Sequence, residues 1–298
     1  MKTRLIVLCV AVAFAGAPAV AQQDFSEVEI GTTEVASGVY MLQGAGGNIG
    51  VSVGADGVFL IDDQYAPLTE RIVAAVRAID DGPIRFVLNT HWHGDHTGGN
   101  ENLGSSGALI VAHDNARRQM TVGQFFELWD RKVEPSSEGS LPVVTFSDAV
   151  TFHLNGDVIH AFHVEHAHTD GDAMVHFEKA NVLHMGDVFF NGTFPFIDVY
   201  SGGSLSGIIS GCNKALKIVD DDTSIIPGHG SLGNRAELVA YRDMLQSAHA
   251  AIAPLVRQGK SLEEIQAADP LAPLVEKWGN GFITAEAFLG LVYEGMTR

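Results

Sequence analysis

The chain runs through one pattern of apolar and polar positions twice. Short apolar runs at Gly38 to Gln43, Ile49 to Val53 and Val58 to Asp62, broken by glycine-containing turns, predict three strands. Pro67 to Ile79 reads as a helix, and the β-branched apolar run Ile84 to Leu88 reads as a buried strand. The second round has strands near Val150 to Leu154, Val158 to Val164, Met174 to Phe177 and Val182 to His184. A helix from about Leu205 to Val219 and a short strand, Ser224 to Ile226, complete it. Strand runs mixed with crossover helices predict an α/β protein with two sheets face to face and helices outside, an αββα sandwich of four layers.

Between the two rounds lies 104–147. Ala108 to Ala112 reads as a strand and Asn115 to Met120 as a helix start. From Val122 to Glu138 the pattern weakens, and Phe125, Phe126, Leu128 and Trp129 are followed by charges. Two readings stand: a flap whose aromatic residues contact a ligand, or an amphipathic helix packing Phe and Leu on the core. The run Phe189 to Ile197, with Phe190 and Phe194, predicts a second pocket wall. The tail, 235–298, reads as helices, including Arg235 to Arg257, Ser261 to Ala268 and Ala285 to Tyr293, and shows no chemistry of its own.

The N-terminus follows a different grammar. Lys2 and Arg4 precede the apolar run Leu5 to Ala15, and Ala19-Val-Ala21 offers a small-x-small cleavage site. This predicts a secretory signal peptide, 1–21, cut after Ala21, and one mature domain, 22–298, exported to the periplasm without a stable membrane anchor. Cleavage leaves Cys212 as the only cysteine, so no intramolecular disulfide can form. The net charge of −18 becomes more negative still without Lys2 and Arg4, and such a field repels nucleic acids at long range. A small-molecule substrate is the expected partner, and the sequence leaves oligomeric state open.

The chemistry is concentrated where the strand Ile84 to Leu88 ends. Asn89-Thr-His-Trp-His-Gly-Asp-His-Thr-Gly-Gly99 places His91, His93, Asp95 and His96 within six consecutive residues, and all four side chains are good ligands for a divalent metal. On a strand tail His91 and His93 share a side at period two. A turn at Gly94, permitted by the glycine, brings Asp95 and His96 to a neighbouring position, and Trp92 packs away from them. One segment therefore seeds two adjacent metal sites.

The pattern His-x-His-x-Asp-His resembles the metallo-β-lactamase superfamily, and three downstream motifs follow in that family's order. They are Glu165-His-Ala-His168-Thr-Asp-Gly-Asp172, Leu183-His-Met-Gly-Asp187 and Ile225-Ile-Pro-Gly-His229-Gly. The resemblance covers about residues 30 to 235 and implies the αββα sandwich. It also implies a first zinc on His91, His93 and His168, a second on Asp95, His96 and His229, and Asp187 bridging the two Zn²⁺. Of the 13 histidines it claims five. His166 competes with His168 for the third position, and His168 is preferred because it directly precedes Thr-Asp-Gly-Asp. Asp62 looks like the family's early aspartate, which orients a ligand histidine. Asp63 and Gln64 follow it where the family has a small residue and glycine.

The resemblance implies hydrolysis by a hydroxide that bridges two zinc ions, with Asp95 as both ligand and proton shuttle. An aspartate at 187, where zinc β-lactamases usually carry Cys or Ser, points to a small cyclic amide, ester or related substrate and at most weak β-lactamase activity. No cationic patch for a β-lactam carboxylate is evident, since only Lys179 and Lys214 stand near the motifs. Four alternatives stay open: a dedicated β-lactamase, a lactonase or thioesterase-type hydrolase, an iron-dependent sulfur oxygenase, and a non-catalytic metal-binding accessory protein.

Overall fold

The computed structural model describes residues 24–298. The expected signal peptide, 1–21, lies outside the described residues. Among the described residues no helix is long and apolar enough to cross a membrane.

The first round builds strands β1 (Gly31–Ala36), β2 (Val39–Gln43), β3 (Ile49–Ser52) and β4 (Val58–Ile61), helix α1 (Thr69–Ile79) and strand β5 (Ile84–Leu88). Short helices α2 (Gly94–Thr97) and α3 (Asn100–Ser105), strand β6 (Leu109–His113) and helix α4 (Asp114–Met120) follow. The segment expected as a flap or an amphipathic helix is a β-hairpin, β7 (Gln124–Phe126) with β8 (Arg131–Val133). Three residues of 3-10 turn and Asp130 at φ 46 close it, and such a left-handed residue turns the chain back into the second strand. The helical alternative fails because Phe125 and Phe126 fall on opposite faces of a strand, one exposed and one packed.

Strand β9 (Val144–Phe146) completes a seven-stranded sheet ordered β1-β2-β3-β4-β5-β6-β9. The second round contributes β10 (Ala149–Leu154), β11 (Asp157–Val164), β12 (Asp172–Phe177) and β13 (Val182–His184). Helix α5 (Leu205–Ala215) then crosses to β14 (Ser224–Ile226), which pairs with β15 (Gly233–Asn234) in a six-stranded sheet. The chain ends in α6 (Arg235–Arg257), α7 (Leu262–Ala268), α8 (Ala272–Trp278) and α9 (Ala285–Thr297).

Alternation within the strands explains the layers. Phe59 and Ile61 of β4 join Val175, Phe177 and Val182 in a core between the sheets. Their neighbours Val58 and Leu60 face the other way, onto Ile72 and Val76 of α1. In the second sheet Phe162 and Val164 face outward onto Ile208 of α5, Tyr241 of α6 and Phe288 of α9. Strands buried on both faces read as continuous apolar runs, which is why β4 shows no alternation in sequence. Burying aromatic and branched residues at roughly 25 cal/mol per Å² supplies the main stabilisation of all three cores.

Two contacts bring the sheets' loop ends together. The Ala173 amide donates to the Thr90 carbonyl at 2.7 Å, tying β12 to the end of β5. Helix α5 lies so close to the turn before His168 that a Cβ at Gly207 would sit 1.7 Å from the His166 carbonyl oxygen. Gly94 corrects the expectation for the turn after His93. Its φ lies outside the left-handed region and its Cβ position is open, so an ordinary helical turn, with Asp95 and His96 in it, makes the reversal. Gly207→Ala is therefore expected to destabilise the protein by about 2 kcal/mol or more through overpacking. Gly94→Ala should stay within about 0.5 kcal/mol. Urea unfolding of the two variants checks this, and equal losses would contradict it.

Candidate metal centre

The seven expected ligand side chains, from four loops at one end of the sandwich, converge in two groups. His91, His93, His168 and Asp187 form the first, and Asp95, His96 and His229 the second. His93 Nδ1 lies 3.0 Å from His91 Nε2 and 2.9 Å from His168 Nε2. In the second group His96 Nε2 and His229 Nε2 are 3.4 Å apart, and Asp95 Oδ2 is 3.3 Å from His229 Nε2. Asp187 stands between the groups, with Oδ2 3.5 Å from His168 Nε2 and 3.4 Å from His229 Nε2. Its Oδ1 is 3.1 Å from His96 Nε2.

The outward hydrogen bonds decide which ring nitrogens carry protons. Asp62, fully buried at the end of β4, accepts from the Thr90 amide, the Thr90 hydroxyl and His96 Nδ1, each at 2.7 Å. Having donated to Asp62, the Thr90 hydroxyl can only accept from His91 Nδ1, 3.0 Å away. His93 Nε2 donates to Asp198 at 3.0 Å, and His168 Nδ1 donates to the Phe196 carbonyl at 2.9 Å. Each of these four rings spends one N–H on an outward contact, so its other nitrogen faces the cluster. Burial opposes a charge on His96, but Asp187, Asp95 and Asp62 push that ring well above its ordinary pKa, so positive charge is held at its inward nitrogen. Burial keeps the His91 ring well below its ordinary pKa and lowers His168 to about 4, so neither supplies an inward proton near neutral pH.

Lone pairs at such distances repel unless a cation lies among them. A tetrahedral ion with bonds of ~2.0–2.1 Å sets its nitrogens about 3.3 Å apart, close to the spacings here. The buried Asp187 Oδ1 has no hydrogen-bond partner, which fits a metal-facing oxygen. Charge makes the same demand. Burial opposes ionisation of Asp187, yet His96, His229 and His91 hold its carboxyl well below the usual range. Burial likewise pulls His229 down, but Asp187 and Asp95 push it up to about 9. The cavity thus calls for positive charge, and a donor set of imidazoles and carboxylates suits a divalent metal ion.

The surrounding scaffold is polar and specific. Asp172 accepts from the His168 and Thr169 amides and the Thr169 hydroxyl, shaping the turn that presents His168. Burial pushes the Asp172 carboxyl up to about 8 against those bonds. Asp62 and Gln64 both adopt left-handed backbone, φ 64 and 56, which costs roughly 1–2 kcal/mol each for non-glycine residues. The departure from the family at Asp63 and Gln64 is used: Asp63 accepts from the Gly99 amide and Gln64 donates to the Gly47 carbonyl. His166 does not share a strand with His168; it sits in a turn at φ 50, exposed, with Nδ1 3.0 Å from the Gly202 carbonyl oxygen. His184 donates to the Asn48 carbonyl and lies outside both groups.

The expected aromatic walls are corrected in part. Phe126 stacks on Trp92, at 5.6 Å and 7°, and lies 5.4 Å from His93. Trp129 packs on Phe196 at 4.7 Å, and Phe190 stacks on His229 at 5.1 Å. Phe125 is exposed on the hairpin's outer face, and Phe194 is buried against Phe288, away from the centre. The run Phe189 to Ile197 held Phe196 without singling it out, and sequence reasoning missed Asp198 and Asp172 beside the ligands. It also missed Phe282, an exposed ring 5.8 Å from His229 supplied by the tail thought to carry no chemistry. Phe196 and Asp198 were marked only by following Phe194 in one aromatic run, whose facing no periodicity could settle.

Three substitutions test this arrangement. Asp62→Ala should weaken metal affinity about 10–100-fold, since it frees His96 directly and His91 through Thr90. His168→Ala should lower metal content and His166→Ala should leave most of it in place. Metal analysis after dialysis reads all three, and retention by Asp62→Ala at wild-type affinity would refute the orienting role.

Comparison with known proteins places the chain. Residues 43–229 match the metallo-beta-lactamase superfamily. A hydroxyacylglutathione hydrolase of Polaromonas sp. is 28% identical over 199 residues, which cover 64% of this chain and 65% of that protein. One of Nitrosococcus oceani is 27% identical over 183 residues, covering 59% and 60%. The alignments thus span less than two thirds of these relatives' own length. Among solved structures, DIM-1 metallo-beta-lactamase superposes with a TM-score of 0.59 at 19% identity, covering 74% of this chain and 100% of that one. A metallo-beta-lactamase from Pontibacter korlensis gives 0.58 at 18% identity, covering 73% and 99%. With the superfamily match extending from β2 to His229, this chain belongs to the metallo-beta-lactamase superfamily.

Proposed function

We propose that this protein is a dinuclear zinc hydrolase that opens a carbonyl bond in a small cyclic amide, ester or thioester. The observation that carries the reading is Asp187, a buried carboxylate shared by two groups of inward-facing ligand atoms. His91, His93 and His168 would hold one ion and Asp95, His96 and His229 the other, with Asp187 within reach of both groups. A pair of bound divalent cations supplies Lewis acidity and a water acidified to a pKa of about 7.

The chain's own residues do the rest. Asp62, Asp198 and the Phe196 carbonyl lock the imidazoles by their outward protons. Asp95 is the carboxylate of the cluster with a partly exposed side chain, 24%, so it is placed to carry a proton between the attacking water and the leaving group. Phe126, Trp129 and Phe196 form an apolar wall on one side of the mouth, Phe190 and Phe282 on the other. They exclude water and bind the apolar part of the substrate.

Thioester hydrolysis is the second reading with an observation behind it, since the relatives that align over 64% and 59% of the chain are named hydroxyacylglutathione hydrolases. A substrate panel of β-lactams, lactones, thioesters and phosphodiesters with the metal-loaded protein separates the readings. Export to the periplasm, proposed from the signal sequence, brings β-lactams within reach and makes weak activity on them the expected side reaction.

Metal analysis should return about two zinc ions per chain. Asp187→Ala should loosen the second ion and cut turnover about 10²-fold or more on every substrate, because it removes a ligand that fixes reactive geometry. One ion per chain under zinc-replete conditions, with full activity in the variant, would overturn the dinuclear reading.

A further inference from the structure

The β7–β8 hairpin carries a cation that the site has not yet used. Its cross-strand pairs assign its faces. Gln124 opposes Val133, Phe125 opposes Lys132 and Phe126 opposes Arg131. Directly opposed side chains of an antiparallel pair lie on the same face, and next-but-one residues share it. Phe126 and Val133 both pack against the cluster of Trp92, Ala112, Ala116 and Met120, so their face is the inner one. Phe125 and Lys132 point to solvent. Arg131 therefore stands on the inner face beside Phe126, whose ring is 5.4 Å from His93.

The two basic residues of β8 are treated differently. Lys132, on the outer face, is paired with Glu134 at 2.7 Å. Arg131 is exposed and makes no ion pair or hydrogen bond among the described residues. In a chain with 36 acidic and 18 basic residues, an unpaired guanidinium on the face turned to the metal centre opposes the field around it. Its charge is felt at the mouth. Burial, Asp95 and Asp187 push the Tyr65 hydroxyl up, and Arg131 pulls it back, so the cation and the cluster act on one group.

We propose that Arg131 anchors a carboxylate of the substrate, next to an aromatic or apolar substituent held by Phe126, Trp129 and Phe196. The planar guanidinium fork matches a carboxylate with two parallel hydrogen bonds, and the rings beside it shield that pair from water. The substrate class is thus an anionic acyl compound with an apolar arm. This deepens the hydrolase reading and rests on it for the position of the scissile bond. It also revises the expectation that no cation serves a substrate carboxylate: Lys179 and Lys214 bond to the Gly156 and His163 carbonyls, and the hairpin supplies the cation instead.

The test uses the metal-loaded full chain and a matched pair of phenylacetyl thioesters, one with a free carboxylate and one with the corresponding amide. Arg131→Ala should lower the ratio of kcat/KM for the acid over the amide about 10-fold, mainly through KM, with unchanged metal content. Arg131→Lys should restore part of the ratio, and Lys132→Ala, on the outer face, should leave it as in wild type. Quenching of tryptophan fluorescence by phenylacetate against phenylacetamide gives a readout that needs no turnover. Wild type should prefer phenylacetate, and Arg131→Ala should lose about 10-fold of that preference. If neither thioester nor any member of the β-lactam, lactone, thioester and phosphodiester panel is cleaved but phenylacetate binding depends on Arg131, the hydrolase reading fails and the anchor stands. If the acid-to-amide ratio or phenylacetate preference is the same in wild type and Arg131→Ala, the anchor is wrong.

Discussion

Everything at the metal centre hangs on one buried carboxylate. Asp62 is shielded from water, and it accepts three hydrogen bonds at 2.7 Å from the loop that follows β5. Through His96 it sets the tautomer of a residue in the second ligand group, and through the Thr90 hydroxyl it sets His91 in the first. An isolated buried charge is costly, so the site is stable only if its donors are all in place. That constraint makes the centre cooperative: loss of one outer partner releases rings in both groups.

The fold, in this sense, brings four loop ends together around Asp187, with Asp62 bracing one of them from behind. β4 delivers Asp62 and β5 delivers the histidine loop from the first sheet. β13 and β14 deliver Asp187 and His229 from the second, and the turn before β12 delivers His168. Because the core between the sheets is close-packed, their ends are held in register, and seven ligand atoms can meet without any of them being on a long flexible segment. The left-handed backbone at Asp62 and Gln64 is strain stored at this junction and offset by the side-chain hydrogen bonds of Asp62, Asp63 and Gln64.

Around this buried centre the mouth is built from more exposed parts. The β7–β8 hairpin leans on it through Phe126 and Trp129, and the loop between α8 and α9 reaches it through Phe282. Both are excursions from the sandwich rather than strands within it. Their exposed rings carry little of the core's stability, so they are free to answer to a substrate. The ligand groups and the mouth are therefore built separately: one on the strand ends of the sandwich, the other on excursions from it.

The apolar pattern carried the strands β2 to β6 and β10 to β14 and the long helix Arg235–Arg257. The spacing of one motif carried His91, His93, Asp95 and His96, while His168, Asp187 and His229 came with the family resemblance. Local pattern failed wherever the deciding contact came from far along the chain. Asp198 meets His93 across 105 residues, and Phe282 meets His229 from a helix-to-helix loop. Phe194 and Phe196 sit two apart in one aromatic run, yet one packs on Phe288 and the other faces the histidines. Nothing between Val122 and Glu138 distinguishes a hairpin from a helix until Trp92 gives Phe126 a partner and leaves Phe125 without one. Sequence determined which groups can serve as metal ligands, because that is written in side-chain type and spacing. Tertiary structure decided which way each ring and charge faces, because burial is a property of the packed layers and not of the segment that is buried.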